Sequence, residues 1–143
     1  MRNRGGFTLV EIMIVIAIVI VLITFGVPNI LRSRVIANEA AAVGNLKALN
    51  NALQMYHINN EFFPAGLEDL ANSTPPYIEP TLASGTKQGY EYVYNLAESD
   101  HFTVNANPTN TGLLKGKYFY MDESGSIHYN PSAVAGPEDE IFK

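Results

Sequence analysis

The stretch GFTLVEIMIVIAIVIVLITFGVP, residues 6–28, decides how this 143-residue chain reads. Between Leu9 and Ile23 its only side chain that is not apolar is Glu11. Phe7 to Val27 is 21 residues, enough at about 1.5 Å per residue to cross a hydrocarbon core about 30 Å thick. Arg2 and Arg4 precede it, the charge asymmetry of an export or anchor signal. A cleaved secretory signal would have a shorter apolar core, of about 7–15 residues, ending in a small-x-small site. Here Phe25-Gly26-Val27-Pro28-Asn29 follows instead. A membrane helix fits the length, but a plain anchor has no use for Glu11. A carboxylate at the centre of such a helix costs about 2.5–3.5 kcal/mol, and less near an end. An ionisable group inside an apolar span points to function through a partner. If the chain is cut between Gly6 and Phe7, the new α-amine of a neighbouring helix is that partner. Arg32 and Arg34 lie just past the span; they either pair with acidic groups in a fibre or, the safer reading, mark the membrane interface. With basic charge on both flanks, the positive-inside rule says little about orientation.

Gly6-Phe7-Thr8-Leu9-Val10-Glu11, followed by an unbroken apolar run, resembles the class III signal of type IV pilins and type II secretion pseudopilins. The resemblance implies a leader, residues 1–6, removed by prepilin peptidase between Gly6 and Phe7, with N-methylation of Phe7. It implies a membrane and filament-core helix over residues 7–28, in which Glu11 registers one subunit against the next. It also implies a helical homopolymer driven by the pilus assembly machinery. The precursor would sit in the bacterial inner membrane and the finished fibre on the cell surface. A structural, non-enzymatic pilus subunit without a cofactor is the expected function. The alternatives are a pseudopilin of a type II secretion system and, from another class, a membrane-tethered enzyme or binding module.

Past Pro28 the apolar spacing continues. Leu31, Val35, Ala42, Leu46, Leu49, Leu53 and Tyr56 fall on one helical face, and Ala40, Ala41, Ala42 and Ala48 favour helix. One helix from Phe7 to about His57 is predicted, roughly 75 Å long. Only its second half can carry a head, residues 29–143. Gly26 and Pro28 interrupt the rod where it leaves the membrane, and an interior proline costs about 3 kcal/mol. They mark either a static kink or a segment that melts; the second also resembles the pilin pattern.

The head reads as a Pro- and Gly-rich loop from Asn59 to Thr86 with one helical turn in it, anchored by Leu67 and Leu70, then four strands. Tyr90, Tyr92, Tyr94 and Leu96 alternate with Glu91, Val93 and Asn95. After Ala97-Glu98-Ser99-Asp100 come Phe102, Val104 and Ala106; Lys117–Met121 and Ser126–Tyr129 flank a second turn. The expected fold is α+β. The second half of the long helix packs on one face of a four-stranded antiparallel sheet whose other face meets solvent. This series is similar to the heads of bacterial pilin-like proteins. It lacks the cysteine pair that staples the last loop of well-known pilins, and the Asp-Pro-Trp-Gly segment of a major secretion pseudopilin. The second departure favours a pilus.

From Glu61 onward, twelve acidic side chains face four lysines, a surface that repels nucleic-acid phosphates. Without cysteine there is neither a disulfide framework nor a thiolate metal site. His57, His101 and His128 have no ligand-type spacing. Asp122 and Glu123 could offer oxygens to calcium, as in some cysteine-free pseudopilin heads, but a hairpin turn requires such residues anyway.

Overall fold

The computed structural model describes residues 6–98, 101–110 and 115–143. Residues 1–5 of the expected leader, and Ser99-Asp100 of the expected turn, lie outside them. The chain divides into two compact units, Met1–Arg34 and Val35–Lys143, and one helix, α1 (Leu9–Asn60), contributes to both.

In the first unit α1 starts at Leu9, two residues later than the apolar run suggests, because Thr8 caps it. Every described side chain through Arg34 is exposed apart from the half-buried Gly26. Leu31, expected to open the packed stripe, is exposed here with the rest. The helix runs through Gly26 and Pro28 without a break. Polar side chains bond to carbonyls one turn back on either side of the proline: Thr24 Oγ1 donates to Ile20 O at 2.8 Å, Asn29 Nδ2 to Phe25 O at 3.1 Å and Ser33 Oγ to Asn29 O at 2.9 Å. Such bonds tend to bend a helix without ending it.

In the second unit the packed stripe of α1 is Ala42, Leu46, Leu49 and Leu53, all buried. The helix ends at Asn60, where Glu61 turns left-handed (φ 68°) and its N–H closes the last turn on His57 O at 2.7 Å. The following segment holds two short helices where one helical turn was expected, α2 (Leu67–Asn72) and α3 (Pro80–Ala83); they bury the expected anchors Leu67 and Leu70, and Leu82 with them. The sheet is β1 (Thr86–Lys87), β2 (Tyr90–Glu98), β3 (His101–Pro108), β4 (Tyr118–Asp122), β5 (Ile127–Asn130) and β6 (Glu140–Ile141). Its strands pair antiparallel in chain order, a meander of six among the described residues rather than the expected four. The four expected strands are β2 to β5. The two edge strands have two residues each, too few to show an alternation.

Phe102, Val104, Ala106, Phe119, Met121 and Ile127 point into the core beneath α1. Tyrosines of β2 tie the layers by their hydroxyls: Tyr92 accepts from Asn45 Nδ2 at 2.9 Å, Tyr90 donates to Lys117 O at 2.8 Å, and Tyr94 donates to Pro64 O at 2.8 Å. The β4–β5 turn meets α1, with Gln54 Nε2 donating to Glu123 O at 3.3 Å.

The outer face of the sheet is not left wholly to solvent. Tyr120 alternates with the inward Phe119 and Met121 yet is only 9% exposed. The segment between β5 and β6 reaches this face: Ala135 is buried, and its carbonyl accepts from Asn105 Nδ2 at 2.9 Å. Two side chains hold that segment. Asn130 Oδ1 accepts the N–H groups of Ser132 and Ala133, and Asn130 Nδ2 donates to Asp139 Oδ1 at 2.9 Å. Asp139 Oδ2 accepts the Gly136 N–H at 2.8 Å.

Candidate functional site

Gly6 and Phe7 precede the helix, outside its hydrogen-bond ladder, and Phe7 is 85% exposed. The next residue organises the helix start. Thr8 Oγ1 accepts the Glu11 N–H at 3.2 Å, while Glu11 Oε2 accepts the Thr8 N–H at 2.7 Å and its hydroxyl at 2.9 Å. This is a reciprocal capping box, which satisfies two backbone donors that would otherwise be stranded at the helix start. In lipid such a donor is costly to leave bare. Glu11 therefore has a use inside its own chain, which the argument from an idle carboxylate did not foresee. The signal was present in the sequence: Thr8-Leu9-Val10-Glu11 is a T-x-x-E box directly before an apolar run.

The structure brings Thr8 and Glu11 together and sets Gly26 and Pro28 further along the same helix. That helix is long and apolar enough to cross a membrane. Asp122 and Glu123 lie elsewhere, at the β4–β5 turn. Asp122 Oδ1 accepts the Ser124 N–H at 3.0 Å and its hydroxyl at 2.6 Å, and Glu123 Oε1 lies 2.7 Å from His101 Nδ1. Both carboxylates serve the turn and its neighbour. His128 Nδ1 meets Asp139 O at 2.7 Å, and His57 stacks on Phe63 with ring centroids 4.5 Å apart. Asn130 and Asp139 carry no signal in the sequence, because their pairing across nine residues leaves no short motif.

Residues 1–27 match the prokaryotic N-terminal methylation motif. The type II secretion system core protein G of Escherichia coli (strain K12) is 42% identical over 91 residues, 62% of this chain and 61% of that protein. Its namesake from Vibrio cholerae is 42% identical over 83 residues, 56% of each chain. The type IV wide pilus major component PilA4 of Thermus thermophilus is 33% identical over 94 residues, 63% of this chain and 72% of that protein. The chain belongs to the type IV pilin and type II secretion pseudopilin family. No solved structure matches it significantly. As a member of this family it carries the motif, the apolar helix and the α+β head together, which suits a membrane-anchored precursor. The matches span about three fifths of the length of the secretion relatives. Within the family, the relatives favour the secretion branch over the surface pilus expected from the missing Asp-Pro-Trp-Gly segment.

Proposed function

We propose that this chain is a filament-forming pseudopilin of a type II secretion apparatus. The observation that carries this reading is the 42% identity to core protein G in two organisms, against 33% to the wide-pilus component. The precursor is held in the inner membrane by α1, prepilin peptidase cuts between Gly6 and Phe7, and Phe7 is N-methylated. Copies then leave the bilayer and associate through their apolar segments, with Glu11 set against the amine of a neighbouring Phe7. The chain acts as a structural part and catalyses no reaction of its own.

A long surface pilus is the second reading. It is favoured by the pilus relative, of which 72% is covered. Deleting the gene decides between them. Retention of exported enzymes inside the cell, with surface fibres intact, supports the secretion role. Loss of sheared surface fibres that contain this chain, with secretion unaffected, supports the pilus. Mass spectrometry of the assembled subunit should give a chain starting at methylated Phe7; an intact Met1 would overturn the processing step.

A further inference from the structure

From Val35 onward the second unit carries thirteen acidic side chains against five lysines. Carboxylates are plentiful there, yet not every lysine has one. Lys87 pairs with Glu79. Lys117 Nζ lies 3.8 Å from Glu39 Oε2 and 5.0 Å from the centre of the Tyr129 ring. Lys115 Nζ sits 4.5 Å from the centre of the Tyr118 ring. Among the described residues Lys47 and Lys143 have no carboxylate partner, and both line one hollow with Ile141 and Phe142. Phe142 and Lys143 also line the adjoining cleft, of about 650 Å³, together with Lys117 and Tyr129. The carboxylate at that cleft, Glu140, already accepts the Tyr129 hydroxyl at 2.7 Å. Three of the five lysines thus gather at one place in an acidic head.

That place is an open edge of the sheet. The Phe142 N–H bonds to Ile127 O at 2.7 Å. Antiparallel bonding alternates along a strand, so the N–H and C=O of the preceding residue, Ile141, point away from β5. Both residues of β6 are exposed. Lysines at an edge can serve only to keep other strands away. A guard of that kind accounts for the charge, but not for a cleft with an aromatic wall beside it.

We propose that the β6 edge docks an extended acidic segment of a partner protein. The segment pairs its backbone with Ile141 and sets its carboxylates among Lys47, Lys117 and Lys143. Charge selects this occupant over a second copy: β6 against β6 sets lysine against lysine, and β1 would bring Lys87. An anionic lipid surface could meet the lysines, but its phosphates offer no donor to the Ile141 carbonyl. The inference holds for a pseudopilus and a pilus alike.

The test uses the full chain in non-ionic detergent and a short dye-labelled peptide of alternating glutamate and valine, blocked at both ends, with binding read by fluorescence anisotropy. The peptide should bind, and should weaken severalfold as salt is raised. Lys47→Glu and Lys143→Glu should each weaken it severalfold, whereas Lys87→Glu, the same change of charge on the opposite edge strand, should leave it unaltered. Ile141→Pro removes the outward N–H and no rung to β5, so it should abolish binding at an unchanged thermal midpoint. Absence of binding, or binding unaltered by Ile141→Pro or by both edge-lysine variants, would overturn the proposal. Displacement of the peptide by phosphatidylglycerol mixed into the detergent would assign the edge to a lipid surface instead. Self-association of the chain that the edge-lysine variants abolish would assign it to a second copy, and either result would equally overturn the proposal.

Discussion

At Glu11 two demands fall on one carboxylate. In the single chain it closes a capping box with Thr8; in the proposed filament it also faces a neighbour's amine. Glutamine separates them, since it can serve the box but carries no charge. Glu11→Gln should insert into the membrane normally and fail to assemble, as Glu11→Ala should. Fibres from the glutamine variant at the level of the unmodified chain would reduce Glu11 to a helix cap. The β2 tyrosines give a second prediction at this scale. Burial pushes the Tyr94 phenol up to about 12, with the Asp69 charge adding to it. Burial raises Tyr90 and Tyr92 too; Glu39 adds to the first, while the bond from Asn45 offsets part of the second. In the unfolded chain these groups ionise near 10.0. The folded state then binds more protons than the unfolded one above that point, so stability falls as pH rises. The loss through Tyr94 should run from about pH 10 to about pH 12. Unfolding midpoints that stay flat across that window would show that the β2 phenols ionise freely in the folded head.

Two elements meet closely where the β4–β5 turn lies against α1. Gly125 has φ 74°, and a Cβ there would stand 2.8 Å from Asn50 Nδ2. Gly125→Ala should cost at least about 1 kcal/mol through the left-handed backbone and the displaced asparagine, read as a lower denaturant midpoint. In α1 itself, Pro28 removes a rung while Thr24, Asn29 and Ser33 bond to carbonyls around it. The continuous helix belongs to the single chain. We propose that the segment about Gly26 and Pro28 extends in the filament, from about 1.5 to about 3.3 Å per residue, so that helix packing and head docking can both be met. A filament map at side-chain resolution should show extended chain there. Unbroken helix from Thr24 to Leu31 would remove the idea, and Pro28→Ala would then assemble normally. The elements differ in how plainly the sequence announces them. Tyr90, Tyr92 and Tyr94 alternate long enough to declare β2, and Leu46, Leu49 and Leu53 declare the packed face of α1. Thr86–Lys87 and Glu140–Ile141 are too short for any period, and their pairing depends on neighbours distant in sequence. Tyr120 shows the same limit: its outward place was legible, but its burial depends on a segment beyond β5. At the site, the apolar run revealed Glu11 by contrast, whereas Thr8 was hidden because a threonine before a membrane helix draws no notice unless the box is sought.

For the whole molecule, the division at Arg34 and Val35 leaves the described buried core in the second unit. A chain starting near Ile30 should therefore be soluble, folded and monomeric, since Leu9–Ile23 is gone; sedimentation with circular dichroism checks this. Filaments from that shortened chain would show that head contacts suffice. The Asn130–Asp139 clasp has a consequence for where the molecule can mature. It closes the C-terminal segment with amide and carboxylate groups in a chain without cysteine. Closure by a disulfide must wait for an oxidising compartment and a thiol catalyst. Closure by hydrogen bonds follows only the ordering of the sheet beneath it. The head can thus reach its final form under reducing conditions, on a timetable set by folding, and a shift in the redox poise of its surroundings gives that loop nothing to respond to.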